Sequence, residues 1–246
     1  MRSHRVMGAL LAGAMAISCS GSSGAGTSRD SASGRKPATS EENPVRTGSG
    51  AVPAVGSVEP EARRTILFLG TSLTAGLGLD PDSAYPQRIQ RKIDAAGLPY
   101  QVVNAGVSGE TSAGLLRRLD WVLKRPADVV VVETGANDGL RGLPITATTA
   151  TIGSVLDRIK RDRPAAALLL VQMEAPPNMG PDYTRAFHTM FPTLAKEHGV
   201  RLLPFLLDSV AGRPSLNQGD GMHPNNTGEA IVANNVWRAL QPVLAQ

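Results

Sequence analysis

Residues 65–246 predict an α/β fold, a three-layer α/β/α sandwich around a five-stranded parallel sheet. Two observations carry this. Five apolar runs recur along the stretch, each closed by Gly, Pro, Asn or Asp, and they are near-continuous in Val, Leu and Ile rather than alternating, as strands covered on both faces are. Between the runs, apolar residues repeat at helical spacing. Regular alternation of strand and helix implies parallel pairing through right-handed crossovers. Such sheets collect their active side chains on loops at the carboxyl ends of the strands.

The elements follow in order. The first run, 65–69, breaks into the turn Gly70-Thr71-Ser72-Leu73-Thr74-Ala75-Gly76. Ile89, Ile93 and Ala96 then share a helix face that stops at Gly97, a residue suited to a helix end. The second run, 101–104, opens into Asn104-Ala105-Gly106-Val107-Ser108-Gly109-Glu110-Thr111, and Leu115, Leu116, Leu119 and Leu123 mark the next helix. Ser108, Thr111 and Ser112 are placed to cap it. The third run, 128–133, leads to Gly135-Ala136-Asn137-Asp138, followed by a helix carrying Ile152, Leu156 and Ile159. Strands are expected at 166–173 and 200–207, and helices near 181–198 and 227–244. There is no internal repeat and no coiled-coil pattern.

The first 64 residues read differently. Residues 1–18 have a basic start at Arg2 and Arg5 and an apolar stretch from Val6 to Ile17, too short to span a bilayer but of the length of a signal-peptide core. Cys19 follows Ala16-Ile17-Ser18 as the lipidated cysteine does in a bacterial lipoprotein signal, with Ala16 in place of the commoner leucine. The expectation is export with a lipid anchor on Cys19, and plain secretion is the alternative. Residues 19–64 are rich in Gly, Ser, Thr, Pro and charge, a composition that cannot bury enough apolar surface to order itself. They are expected to be a tether. Residues 1–64 carry 8 Lys+Arg and 5 Asp+Glu, against 17 and 16 in the rest, so the folded part has no basic footprint for nucleic acid. A single cysteine excludes an internal disulfide framework. The 4 histidines are scattered without ligand spacing and no phosphate-cradling glycine motif is complete, so neither metal nor cofactor is expected.

The most informative residues are Asp220-Gly221-Met222-His223. A carboxylate three positions before a histidine can hold one imidazole nitrogen while the other faces a nucleophile, and Ser72, at the end of the first strand, is the candidate. Serine needs such a base, and a Ser/His/Asp set supplies and orients it. Ser72 N–H, Gly106 N–H and the Asn137 side chain lie on the three loops that follow the first three strands. They are candidate donors to a developing oxyanion, Gly106 because a residue without Cβ lets a ligand approach the backbone.

Other polar residues have plainer readings. His188 and His198 have no carboxylate partner at comparable spacing and are expected on a helix surface, His198 at its carboxyl end. Glu133, ending an apolar strand, needs a partner if buried, and Arg141 is the expected one; Asp138 and Arg141 are expected to pair on a loop rim. Met173, Met179 and Met222 are packing residues or flexible linings of an acyl groove. The groove walls are expected from 112–114, 140–145 and 176–183.

Gly-Thr-Ser-Leu-Thr at 70–74, Gly106 in Asn-Ala-Gly-Val-Ser-Gly, Gly-Ala-Asn-Asp at 135–138 and Asp-Gly-Met-His-Pro at 220–224 resemble, in order and rough spacing, the four blocks of the SGNH (GDSL) hydrolases. The stretch Glu133-Thr-Gly-Ala-Asn-Asp-Gly-Leu-Arg-Gly142 is most similar to the bacterial arylesterase and multifunctional acyl-CoA thioesterase/lysophospholipase group. The resemblance spans essentially 65–244. It implies the family's flavodoxin-like sheet, Ser72 as nucleophile, His223 as base, Asp220 as its orienter, and Ser72, Gly106 and Asn137 as the oxyanion hole. It also implies cofactor-independent hydrolysis of small acyl esters or thioesters, including lysophospholipids, through an acyl-enzyme. A carbohydrate O-acetylesterase on the same fold is the alternative chemistry, and a non-catalytic lipid- or glycan-binding envelope lipoprotein the alternative class. Position 71 departs from the family's name-giving motif, holding Thr where that motif has Asp. That Asp is outside the triad, so the change bears on the turn rather than the reaction.

Overall fold

The structure, a computed structural model, describes residues 63–245. The expected signal segment, Cys19 and nearly all of the expected tether lie outside these residues. The fold begins slightly earlier than expected: β1 spans Arg64–Gly70, and Arg63 Nη1 donates to Asp94 Oδ1 at 2.9 Å.

The elements that follow are α1 (Ser72–Ala75), α2 (Tyr85–Ala95), β2 (Tyr100–Gly106), α3 (Ser112–Val122), β3 (Val129–Val132), α4 (Ala136–Leu140) and α5 (Ile145–Asp162). After these come β4 (Ala167–Val171), α6 (Pro181–Glu197), β5 (Arg201–Leu203) and α7 (Asn226–Leu244). All five strands pair in parallel, in the order β2-β1-β3-β4-β5. This is the flavodoxin-like order, and its crossovers reverse direction at β1. Helices α2 and α7 pack together, whereas α3, α5 and α6 pack as a second set.

Central strands β1 and β3 explain the unbroken apolar runs. Ile66–Leu69 and Val129–Val132 are buried on both faces, so no solvent side exists for an alternating pattern to serve. Ile89 and Ile93 of α2, Leu115 and Leu119 of α3, and Ile152, Leu156 and Ile159 of α5 close over them. Ala96, expected on that buried face, is exposed at the α2 cap. The edge strand β2 is protected by a side chain: Gln90 Oε1 accepts the Val102 N–H at 2.6 Å and its Nε2 donates to Tyr100 O at 3.2 Å, occupying groups that an open edge would offer to another chain.

One strand is much shorter than expected. The run 200–207 forms a strand only over Arg201–Leu203. Pro204 has no N–H to extend the ladder, and Leu206 N instead donates to Gln172 O at 3.2 Å. The apolar residues that follow fold over the carboxyl edge of the sheet, where they become part of the site.

Candidate active site

Ser72 is presented by a tight local structure. Thr71 follows β1 in extended geometry and caps α1, its hydroxyl accepting the Leu73 N–H, and Gly76 ends the helix five residues later in the left-handed region at φ 73°. Gly70 permits this turn, since an added Cβ would lie 2.0 Å from Thr74 Oγ1. Ser72 is 8% exposed.

His223 arrives from the segment between β5 and α7. Asp220 Oδ1 accepts the N–H groups of Met222 at 2.9 Å and His223 at 3.0 Å, and Asp220 Oδ2 lies 2.5 Å from His223 Nδ1. The opposite nitrogen, His223 Nε2, lies 2.8 Å from Ser72 Oγ. The His223 backbone N–H, then its side chain, then the Met222 N–H hold the Asp220 carboxyl well below the usual carboxylate range. It stays ionised and fixes the imidazole with Nε2 toward the serine, so the ring can take the hydroxyl proton. Gln218 ties this segment to the chain just after the Ser72 turn, donating from Nε2 to Leu77 O at 2.7 Å and Pro224 O at 3.0 Å.

The predicted triad residues therefore meet; the predicted oxyanion residues only partly do. Asn137, on α4, lines the cavity beside Ser72 and donates one amide hydrogen to Glu110 O at 3.0 Å, which leaves its second hydrogen free for a ligand. Gly106 is elsewhere. It is the last residue of β2, its N–H donates to Asn104 Oδ1 at 2.9 Å, and an added Cβ would lie 2.4 Å from Ala75 N. Its lack of a side chain serves the packing of α1 on β2. The glycine of that loop which lines the cavity with Ser72 and Asn137 is Gly109, at φ 77°. No acceptor among the described residues takes its N–H, while its carbonyl accepts Arg141 Nη2 at 2.9 Å. The displacement has a simple origin: β2 runs two residues past Asn104, so the loop begins later than expected.

Other polar expectations are corrected as well. Arg141 does not reach Glu133, whose partners are Thr71 and Thr74. Asp138 is buried and accepts from Ser112 N at 2.8 Å and Ser112 Oγ at 2.6 Å rather than from Arg141. Thr111 caps α3 as expected. His188 and His198 do have carboxylate partners: Nδ1 of each lies 2.7 Å from Glu174 Oε1 and Asp157 Oδ1 respectively. His198 is the residue capping the carboxyl end of α6. Sequence reading missed Glu110 and Arg118, whose paired contacts of 2.7 Å, with Arg118 Nη2 also on Ala105 O at 2.8 Å, brace the Gly109 loop. A spacing of eight residues across a helix start carries no signal for such a pair.

The cavity has a volume of about 500 Å³ and is largely apolar, lined by Leu77, Leu140, Met173, Phe205, Leu207 and Met222 among others. Met173 and Met222 thus line the groove, while Met179 does not. The 140–145 and 176–183 loops contribute Leu140, Pro176 and Pro177; the 112–114 segment contributes nothing, and Phe205 and Leu207 come from the run expected to be a strand.

Residues 68–231 match the GDSL-like Lipase/Acylhydrolase family. The chain belongs to this family. It is 36% identical over 198 residues to Esterase TesA of Pseudomonas aeruginosa, covering 80% of this chain and 97% of that protein. It is 39% identical over 184 residues to thioesterase 1/protease 1/lysophospholipase L1 of Escherichia coli, covering 74% and 86%. Among solved structures, the psychrotrophic esterase EstA from a Pseudoalteromonas species, inhibited by monoethylphosphonate, is similar at a TM-score of 0.70 and 32% identity, over 74% of this chain and 100% of that one. As a GDSL-like family member with esterase, thioesterase/lysophospholipase and arylesterase relatives, this protein is a serine esterase acting on small-molecule esters.

Proposed function

We propose that Ser72, His223 and Asp220 form the catalytic triad of an acyl-ester or thioester hydrolase whose substrates carry an apolar acyl chain. The observation that carries this reading is the Ser72–His223–Asp220 hydrogen-bonded array opening on a largely apolar cavity of about 500 Å³, a size in the range of small-molecule sites. Ser72 Oγ attacks the acyl carbonyl as His223 Nε2 takes its proton; His223 returns that proton to the leaving oxygen or sulfur, and water then releases the acid by the same steps reversed. Ser72 N–H, Gly109 N–H and Asn137 Nδ2 are the proposed donors to the tetrahedral oxyanion, with Gly109 taking the place expected for Gly106.

The lining favours acyl esters over a carbohydrate O-acetylesterase, because a sugar ring would need polar partners that Leu140, Phe205 and Leu207 do not supply. The intact array likewise weighs against a non-catalytic binding lipoprotein. The lysophospholipase and thioesterase activities named for the E. coli relative belong to the same substrate class. For location, we propose export and lipid anchoring through Cys19, on the sequence pattern of residues 1–19 alone.

The test is a fluorophosphonate probe with peptide mapping, followed by hydrolysis of p-nitrophenyl esters of increasing acyl length. One adduct on Ser72, loss of nearly all turnover in Ser72→Ala, and kcat/KM that rises with chain length beyond acetate are expected. An adduct elsewhere sinks the triad, and a preference for acetylated sugars sinks the substrate class.

A further inference from the structure

The acyl-transfer reading leaves one fully buried acid without a role. Glu133, directly after β3, is 0% exposed. Its Oε2 accepts the Thr71 N–H at 2.7 Å, Thr71 Oγ1 at 2.9 Å and Thr74 Oγ1 at 2.9 Å, and its Oε1 lies 3.0 Å from Thr71 Oγ1. Thr74 Oγ1 lies in turn 2.9 Å from Tyr85 OH, and Tyr85 is also 0% exposed. All these donors are neutral. The Tyr85 phenol is pushed up, by burial first and by Glu133 next, so it stays protonated and donates to Thr74, whose own hydroxyl hydrogen is then committed to Glu133. Burial pushes the Glu133 carboxyl up, and the Thr71 and Thr74 donors pull the other way.

The cluster is aimed at the nucleophile. Thr71 precedes Ser72 and caps the helix that carries it, so gripping Thr71 by both N–H and hydroxyl sets the direction in which the next residue leaves β1. The grip is also packed against the main chain, since a Cβ on Gly70 would lie 2.7 Å from Glu133 Oε2.

Resting on the proposed role of Ser72, we infer that Glu133 is a positioning residue for the nucleophile turn, acting through Thr71, and that a neutral hydroxyl at position 71 lets one buried carboxylate do this without sharing a proton. An Asp at 71 would bring a second carboxyl within hydrogen-bond reach of Glu133. Among the described residues no cation holds Glu133; the groups facing the pair are the Tyr85 phenol from α2, the Thr71 and Thr74 hydroxyls from the α1 turn, Glu229 of α7 through its field on Tyr85, and His223 beyond Ser72. Two carboxyls so close ionise one at a time and hold one proton between them until pH passes a raised upper pKa. The proton-sharing form is the competent one, so activity is present below the pair's raised upper pKa and is lost as pH rises through it.

The experiment measures kcat and KM for a short p-nitrophenyl ester across neutral and alkaline pH, with the rate and site of fluorophosphonate labelling, on the parent, Thr71→Ser, Thr71→Val, Thr71→Asp and Glu133→Gln. Thr71→Ser keeps the hydroxyl donor and is expected near parental kcat. Thr71→Val should lose about tenfold in kcat with KM little changed, the weight of one hydrogen bond to a charged group. Thr71→Asp should lose kcat on the alkaline side, where the parent keeps it. A Thr71→Asp profile parallel to the parent's, or a Thr71→Val kcat equal to Thr71→Ser, overturns the inference. Labelling distinguishes the two failures: parallel profiles with the adduct on Ser72 remove only the positioning role, whereas an adduct on another residue removes the triad itself.

Discussion

Asn137 uses one amide hydrogen to anchor on Glu110 O, and in the proposed oxyanion hole the other meets charge that exists only in the transition state. Asn137→Ala is therefore expected to lower kcat on the order of 10² to 10³ with a smaller change in KM; a rise in KM at constant kcat would make Asn137 a ground-state binder. Glu229 illustrates a buried acid with a different consequence. It is 1% exposed, its Oε2 has no hydrogen-bond partner among the described residues, and burial pushes its pKa from 4.5 to about 8 against the pull of the Tyr85 N–H and Arg88. Here a folded value above the unfolded one means that the native state holds the extra proton. Stability attributable to Glu229 falls as pH rises from about 4.5 toward about 8 and stays low above that. Glu229→Gln, which removes the charge, should melt higher than the parent at alkaline pH, with the gap closing as pH falls. Thermal melts across that window check it, and a gap independent of pH would reject it.

At the scale of elements, the loop between β2 and α3 is held from three sides: Arg118 on Glu110 and Ala105 O, Asn137 on Glu110 O, and Arg141 on Gly109 O. The Arg118–Glu110 side chains are only 18% and 8% exposed, so removing the cation strands a carboxylate. Arg118→Met is expected to cost about 3 kcal/mol of stability and to lower kcat by letting Gly109 drift from the cavity. Adding Glu110→Gln should recover much of the lost stability, since the stranded charge goes with it. Chemical denaturation of the single and double variants measures this; equal stability of the two would show that the pair is not acting through its charge.

For the whole molecule, folding should need little before β1. The sheet order places the direction reversal at the β1–β3 crevice, and Ser72, Gly109 and Asn137 lie on the loops that leave the carboxyl ends of β1, β2 and β3. A chain starting near Glu61 keeps Arg63 and Arg64, with the Arg63–Asp94 contact, and is expected to fold and to hydrolyse short p-nitrophenyl esters as the longer protein does. The same truncation, like Cys19→Ser, should abolish membrane association if Cys19 is acylated, because each buried CH₂ adds about 0.8 kcal/mol of anchoring and stable attachment needs more than one chain. Mass spectrometry of the mature amino terminus together with fractionation settles that point, an unlipidated start in the soluble fraction being the result against it.

What the sequence alone determined was local or periodic. Near-continuous apolar runs report strands with no solvent face; the spacing of Asp220 and His223 places acid and imidazole within one short turn; and Ser72 lies at a strand end whatever the rest of the chain does. Tertiary structure decided what depends on distant segments meeting. Arg141 found Gly109 instead of Glu133, Ser112 instead of Arg141 claimed Asp138, and Phe205 and Leu207 became cavity wall once Pro204 had ended β5. Hydrogen-bond partners of a buried polar group are set by which donors the packed core brings within about 3 Å, and a chain's order says nothing of that until its strands are aligned. Gly106 and Gly109 show the limit at its smallest: two glycines three residues apart, one the last residue of β2 and the other in the loop beyond, separated in role by where the β2 ladder stops.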